Sequence, residues 1–349
     1  MKSSINISKE SNKENESAKP NPITEKIKSD YFLQKLYDNM TKKKKLKIVK
    51  YNKRIQNRLN LGVKDYKEYS ETFTPIEIEI IPTKGKYGKF INIDENDKLF
   101  YHIYFNDNKK EIKNKYRIKE EDGVIKHEYY IEEEDKVTKI EIIIDYQVKS
   151  FEGLFSWCEC IESINFKKFY RNNITDMSWM FYECSSLKEL NLNNFNTNNV
   201  TNMSFMFFGC SSLKELNLNN FNTNNVTDMS CIFLGCSSLK ELKLNHFNTN
   251  NVINMRSMFN GCSSLKELNL TNFNTNNVTD MSSMFSGCSS LKKLNLTNFN
   301  TNNVTNMQGM FLECSSLKEI NLINFININF LNMRYLFYRF LSLNYLNMR

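Results

Sequence analysis

The sequence predicts an α/β repeat solenoid in which short parallel strands alternate with short helical turns, preceded by a small helical hairpin and a strand-rich segment. Three observations predict it. Val200, Val226, Val252, Val278 and Val304 mark a spacing of 26 residues through the second half of the chain. Within a unit, Leu187, Leu190 and Leu192 alternate with polar residues in the manner of a half-buried strand. Val200, Met203, Met206, Phe207 and Cys210 then recur at steps of three and four, the spacing of a helical stripe.

Taken in order, the unit that opens at Cys184 places its leucine strand first, and strands stacked in parallel would rise by roughly 4.8 Å per unit. Phe195 points inward, and Asn196, Thr197, Asn198 and Asn199 turn the chain. Thr201 or its neighbour then caps a turn of helix that Gly209 ends. Each unit offers about eight apolar side chains, worth roughly 1.5 to 3 kcal/mol apiece when buried. Backbone entropy offsets most of that, so no unit folds alone. The array spans 148–349 and both ends are degenerate. Leu154, Phe155, Cys158, Ile161, Ile164, Phe166 and Phe169 fill the first unit. Phe325, Phe330, Met333, Phe337, Leu343 and Leu346 fill the last, with Phe340 in the place of the cysteine. The last unit shows no cap, so it either frays or meets a partner.

Ahead of the array, residues 1–27 are too polar to offset the entropy of ordering and read as a disordered tail. Residues 28–70 read as a helical hairpin. Phe32, Leu33, Leu36, Tyr37 and Met40 form the first stripe, with Asp30 as N-cap. Thr41 caps a second helix carrying Leu46, Ile48, Tyr51, Ile55 and Leu59. In residues 71–147 the period becomes two, as where Ile76, Ile78 and Ile80 alternate with Glu77 and Glu79. The last of these strands, residues 140–144, is expected to cap the array.

Composition narrows the function. A net charge of +8, from 47 basic and 39 acidic residues, is too mild to point to nucleic acid. The abundance of asparagine, lysine, isoleucine and phenylalanine is set down as much to genome composition as to selection. Of nine cysteines, Cys184, Cys210, Cys236, Cys262, Cys288 and Cys314 recur once per unit, which suits packing thiols better than disulfides or a metal site. Cys158 and Cys160 form an isolated C-x-C pair, and Cys231 is off pattern. The amino terminus has no apolar signal region and nowhere do 18 apolar residues run together. The expectation is therefore a cytoplasmic chain with reduced thiols and no membrane span. His102, His127 and His246 stand in no catalytic constellation, and Gly85 and Gly88 lack P-loop spacing, so no enzyme, cofactor or metal is expected. The basic run Lys42 to Lys45 reads as a solvated helix face. Sequons such as Asn199-Val200-Thr201 read as a by-product of the repeat.

The unit pattern FNTNNVTDMSxMFxxCSSLKELNL resembles the BspA-like leucine-rich repeats, also described as a mycoplasma-type surface-protein repeat. The resemblance implies a leucine-rich-repeat-like solenoid. Because bacterial members are surface proteins associated with adhesion, it also makes a cell-surface adhesin the alternative function and location. Where an ordinary leucine-rich repeat carries its ladder asparagine this unit has Phe195, with Asn196 one place later. Residues 29–60, through Leu36, Leu46 and Val49, are similar to an F-box. That likeness implies a Skp1-like adaptor as partner and a ubiquitin-ligase substrate receptor as a further alternative.

On the solenoid reading the outward strand positions line a concave face. Glu189, Glu215, Glu241, Glu267, Lys293 and Glu319 form one column. Asn191, Asn217, Lys243, Asn269, Asn295 and Asn321 form the next. His246 and Arg256 are further places where near-identical units differ. The function expected is a non-enzymatic protein–protein interaction scaffold, whose partner is another protein that the sequence does not name.

Overall fold

The computed structural model describes residues 29–38, 53–58, 74–121, 123–325, 336 and 345–347. The chain divides into two compact units, residues 1–71 and 72–349. In the first, α1 (Asp30–Asp38) opens with a hydrogen bond from the Leu33 amide to the Ser29 carbonyl. Ser29, not Asp30, therefore holds the N-cap place. Leu33 is buried, and so is Ile55 of α2 (Lys53–Arg58). The expected positions Met40, Leu46, Ile48, Val49, Tyr51 and Leu59 lie outside the described residues.

In residues 72–349, β1 (Ile76–Pro82), β3 (Tyr101–Phe105), β6 (Ile140–Ile144), β7 (Ile161–Lys168) and β8 (Glu189–Asn191) form a mixed sheet in the order β3-β6-β1-β7-β8. A second sheet joins β2 (Gly88–Asp94), β5 (Val124–Ile131) and β4 (Tyr116–Glu121), all antiparallel. A third joins β9 (Lys293–Asn295), β10 (Glu319–Asn321) and β11 (Tyr345–Asn347), all parallel. Ile76, Ile78 and Ile80 bury one face of β1, as strict alternation requires. On its other face Glu77 and Glu79 pair with Lys168 and Lys167 of β7, each at 2.6 Å.

The expected α/β solenoid with helical turns is overturned. Among the described residues between 74 and 325 the only helical pieces are 3-10 turns at Lys98–Phe100 and Glu133–Asp135. The stripe from Met203 to Cys210 is a succession of turns, closed by Met206 to Met203, Phe208 to Phe205 and Cys210 to Phe207 hydrogen bonds. Two residues of the run are left-handed, Phe205 at φ 58° and Gly209 at φ 70°, which an α-helix does not admit. The intervening amides serve the next unit instead: Met203 donates to Asp228, Phe205 to Ser230, Phe207 to Ile232 and Gly209 to Leu234. Turns that bring every third or fourth side chain inward reproduce a helical spacing without a helix. Nor does every leucine segment form a strand; β8, β9 and β10 do, while the same positions in the units between them do not.

The units are joined by parallel bridges linking Ser150, Asp176, Asn202, Asp228, Asn254, Asp280 and Asn306 in one series. Polar side chains reinforce the joints. Asn199, Asn225, Asn251, Asn277 and Asn303 each donate Nδ2 to a carbonyl of the unit before, at 2.6 to 2.8 Å. The buried Thr223 donates its hydroxyl to the Asn248 carbonyl and accepts the Asn248 amide, and Thr249 does the same with Asn274. Asparagine abundance thus has a structural use that composition alone does not reveal.

Inside, Phe155, Phe181, Phe207, Phe233, Phe259, Phe285 and Phe311 stack with centroids 5.5 to 5.8 Å apart and planes within 13°. Each of the six repeating thiols, Cys184, Cys210, Cys236, Cys262, Cys288 and Cys314, donates to the carbonyl of a phenylalanine in the unit before, at 3.0 to 3.2 Å. All nine cysteines are free and buried. Burial pushes the thiols of Cys184, Cys236 and Cys314 up to about 12, and those of Cys210, Cys262 and Cys288 the same way.

The first unit is closed by the strand-rich segment. Its β7 pairs antiparallel with β1, whereas β6 lies one strand further out, so the capping strand is β1 and not residues 140–144. Asn92 of β2, buried, donates Nδ2 to the carbonyls of Gly153 and Ser156 at 2.8 and 2.9 Å. At the far end Leu346 of β11 lies beside Ile320, and the buried Leu336 accepts the Phe311 amide. Phe330, Met333, Phe337, Phe340 and Leu343 lie outside the described residues.

Phe207→Ala should cost on the order of 3 to 5 kcal/mol in urea unfolding, since it empties a fully buried ring site. Asn191→Ala, on an exposed strand position, should cost less than about 1 kcal/mol. Equal costs would overturn this division of inside from outside. The thiol column adds a pH dependence. The folded chain keeps these protons where unfolded thiols, near about 8.5, ionise. Stability is therefore whole below that pH and falls above it, by up to about 1.4 kcal/mol per pH unit for each thiol. Urea midpoints at about pH 7.5 and 9.5 check this; a midpoint that holds at the higher pH would contradict it, and Cys236→Ser should lessen the loss by one thiol's share.

Candidate functional site

Repetition places the outward strand positions on one face. Glu189, Glu215, Glu241, Glu267, Lys293 and Glu319 are all exposed, and so are Asn191, Asn217, Lys243, Asn269 and Asn295. Asn321 is half-buried. The buried partners that hold them are Leu190, Leu216, Leu242, Leu268, Leu294 and Ile320, one per unit.

The columns differ in what they are free to do. Units stacked at about the 4.8 Å spacing of paired strands set the glutamates close enough to repel one another. Lys293 interrupts that column and pairs with Glu319 of the neighbouring strand at 3.0 Å. Lys243, the exception in the asparagine column, pairs with Glu241 of its own unit at 3.4 Å. The asparagines spend their Oδ1 atoms on local turns: Asn191 accepts the Asn193 amide, Asn217 that of Asn219, Asn269 that of Thr271 and Asn295 that of Thr297. Asn217 also donates Nδ2 to the Asn193 Oδ1 of the unit before, at 3.4 Å. His246 is exposed, yet its Nε2 lies 2.8 Å from the Leu218 carbonyl of the unit before. Asn298, at the equivalent place, likewise donates to the Leu270 carbonyl, so His246 takes over a joint between units.

Sequence reasoning passed over a third column. Lys188, Lys214, Lys240, Lys266, Lys292 and Lys318 are exposed immediately before the glutamates, and Lys188 pairs with Glu162 at 3.1 Å. Its signal was its constancy, since one lysine stands at the same place in six successive units. The strand face therefore carries a basic stripe, an acidic stripe and an amide stripe side by side.

Elsewhere several titratable groups are paired or buried. His102 sits between Glu111 at 3.0 Å and Asp145 at 3.5 Å. Burial holds the buried His127 below the usual histidine range. Burial also lowers Arg171, to about 10, against Tyr101 and Asp145. Among the described residues no group of three or more His, Cys, Asp and Glu is placed to hold a metal ion. No helix among them is long and apolar enough to cross a membrane. A shallow groove of about 640 Å3 follows the Asn199 to Asn277 and Thr201 to Thr279 columns and carries no charged side chain.

Comparison with known proteins adds a family to this geometry. No curated protein and no solved structure matches the chain. A family model described as Mycoplasma protein of unknown function, DUF285, matches residues 149–267 and again residues 236–347. This is a repeat-type family of the BspA-like kind. The match begins beyond residues 29–60 and gives the F-box likeness there no support. The two overlapping matches begin at the array's first bridge and together take in more than half of the 349 residues, so the chain belongs to the DUF285 family of repeat proteins.

Proposed function

We propose that the protein is a non-enzymatic binding scaffold that holds a protein partner on its strand face. The observation that carries this is the set of three exposed stripes, lysine, glutamate and asparagine, repeated over six units on a rigid hydrogen-bonded frame. Such a face offers a partner the same three contacts again and again, and multiplicity compensates for the small worth of each exposed charge. Lys243 and Lys293 break the pattern and give the face a direction. A partner with alternating acidic and basic residues along an extended surface fits it.

We place this activity in the cytoplasm. Nine free buried cysteines suit a reducing compartment. The sequon asparagines Asn199, Asn225, Asn277 and Asn303 spend their amides on joints between units, which suits a chain that is not glycosylated.

The test is affinity capture from lysate with the full chain and with a triple variant, Glu215→Lys, Glu241→Lys and Glu267→Lys. A partner held by the full chain should be depleted at least tenfold with the variant, and elution should sharpen with rising salt. A partner retained equally by both, or none captured by either, would overturn the assignment of the strand face.

A further inference from the structure

The strand-rich segment covers its sheet edges, with one exception. On its outer side β2 gives the Asn92 amide to the Leu154 carbonyl, at 2.8 Å. On its own outer side β3 gives the Ile103 carbonyl to the Ile112 amide, also at 2.8 Å. β4 ends the order β2-β5-β4, and no described residue pairs with its outer side. A bond from the Tyr130 amide to the Lys115 carbonyl, at 3.2 Å, sets the phase of the β4–β5 ladder. Bonded pairs alternate along an antiparallel ladder, so Lys115, Arg117 and Lys119 turn their backbone groups to β5. Tyr116, Ile118 and Glu120 therefore turn theirs outward.

A proline, a bulge, a covering loop or a row of like charges commonly guards such an edge. β4 contains no proline, and its register with β5 runs unbroken from Tyr116↔Tyr129 to Glu121↔Val124. Ile118 is 66% exposed, an isoleucine left in water beside the open side. Charge is the remaining guard, and it is not of one sign. Lys115, Arg117 and Lys119 run into the strand, and Glu120 and Glu121 end it. Arg117 is held over the Tyr130 ring, 4.3 Å from its centroid, which fixes its place on that face.

A strand that is basic first and acidic last is complementary to its own reverse. We propose that β4 pairs antiparallel with β4 of a second copy of this chain across a two-fold axis, joining two three-stranded sheets into one of six strands. Such an axis stands normal to the sheet, which keeps odd positions opposite odd positions.

Charge then selects the register. Centred on Ile118, the pairing sets Arg117 opposite Lys119, like charge on like. Centred on Glu120, it brings only residues 119–121 of each strand together. Centred on Lys119, it sets Arg117 of each copy opposite the position of Glu121 in the other, and Ile118 opposite Glu120. In that register Ile118 and Glu120 exchange their outward amides and carbonyls with Glu120 and Ile118 of the other copy. The two Ile118 side chains lie diagonal to each other, within reach across the pair. Lys119 meets its own copy at the axis, and Glu128 of β5 lies within electrostatic reach to offset that charge. The contact uses no residue of the strand face.

Sedimentation velocity of the full chain across the micromolar range should show a reversible dimer. Ile118→Pro removes an outward amide and no bond to β5, so the thermal midpoint should hold while dimerisation weakens at least tenfold. All nine native cysteines are buried, so an added one reads the axis. Opposite residues of a non-bonded antiparallel pair stand about 4.5 Å apart at Cα, within disulfide reach. Lys119→Cys should therefore give a covalent dimer under mild oxidation with copper phenanthroline. Glu120→Cys, offset by two places from its own copy, should not. The strand-face variant Glu215→Lys, Glu241→Lys and Glu267→Lys should dimerise as the native chain does. A monomer at every concentration, native dimerisation in folded Ile118→Pro, cross-linking of Glu120→Cys in place of Lys119→Cys, or a dimer lost in the strand-face variant would each overturn the proposal.

Discussion

A turn run in which alternate amides point out of the unit cannot satisfy itself. Met203, Phe205, Phe207 and Gly209 hand their N–H groups to the unit that follows, and left-handed residues at Phe205 and Gly209 aim them there. A buried amide without a partner is costly, so each unit needs a neighbour before its own backbone is satisfied. Cooperativity between units follows from this constraint, and the carbonyls of the first unit, which no preceding unit serves, need closing by something of a different kind.

The closure is supplied by β1, which offers an antiparallel edge to β7, and by Asn92, which satisfies two carbonyls of the first turn run. One hydrophobic core then runs from Ile76 to Leu336 without a break. Within it the repeat sets identical side chains over one another. Stacked phenylalanines keep contact on both faces, and neutral thiols each find a carbonyl of the preceding unit. The same stacking turns outward glutamates into a repelling column.

Stability and recognition are thereby divided by position. Inward places repeat almost without change because each must match its neighbours above and below. Outward places tolerate substitution, and there Lys243, Lys293, Trp179 and Phe205 depart from the consensus.

By itself the sequence determined the period, the membership of the core and the exposed columns, because burial periodicity is written directly in residue order. Val200, Met203, Met206, Phe207 and Cys210 are fully buried, and Glu189 and Asn191 are exposed. It did not determine the conformation between those positions. A helix and a chain of three-residue turns place apolar side chains at the same steps, and they differ in where alternate amides go, which is a contact between units 25 residues apart. The identity of the capping strand and the use of asparagine as a joint were likewise decided by tertiary structure. Each depends on residues distant in sequence that no local pattern brings together.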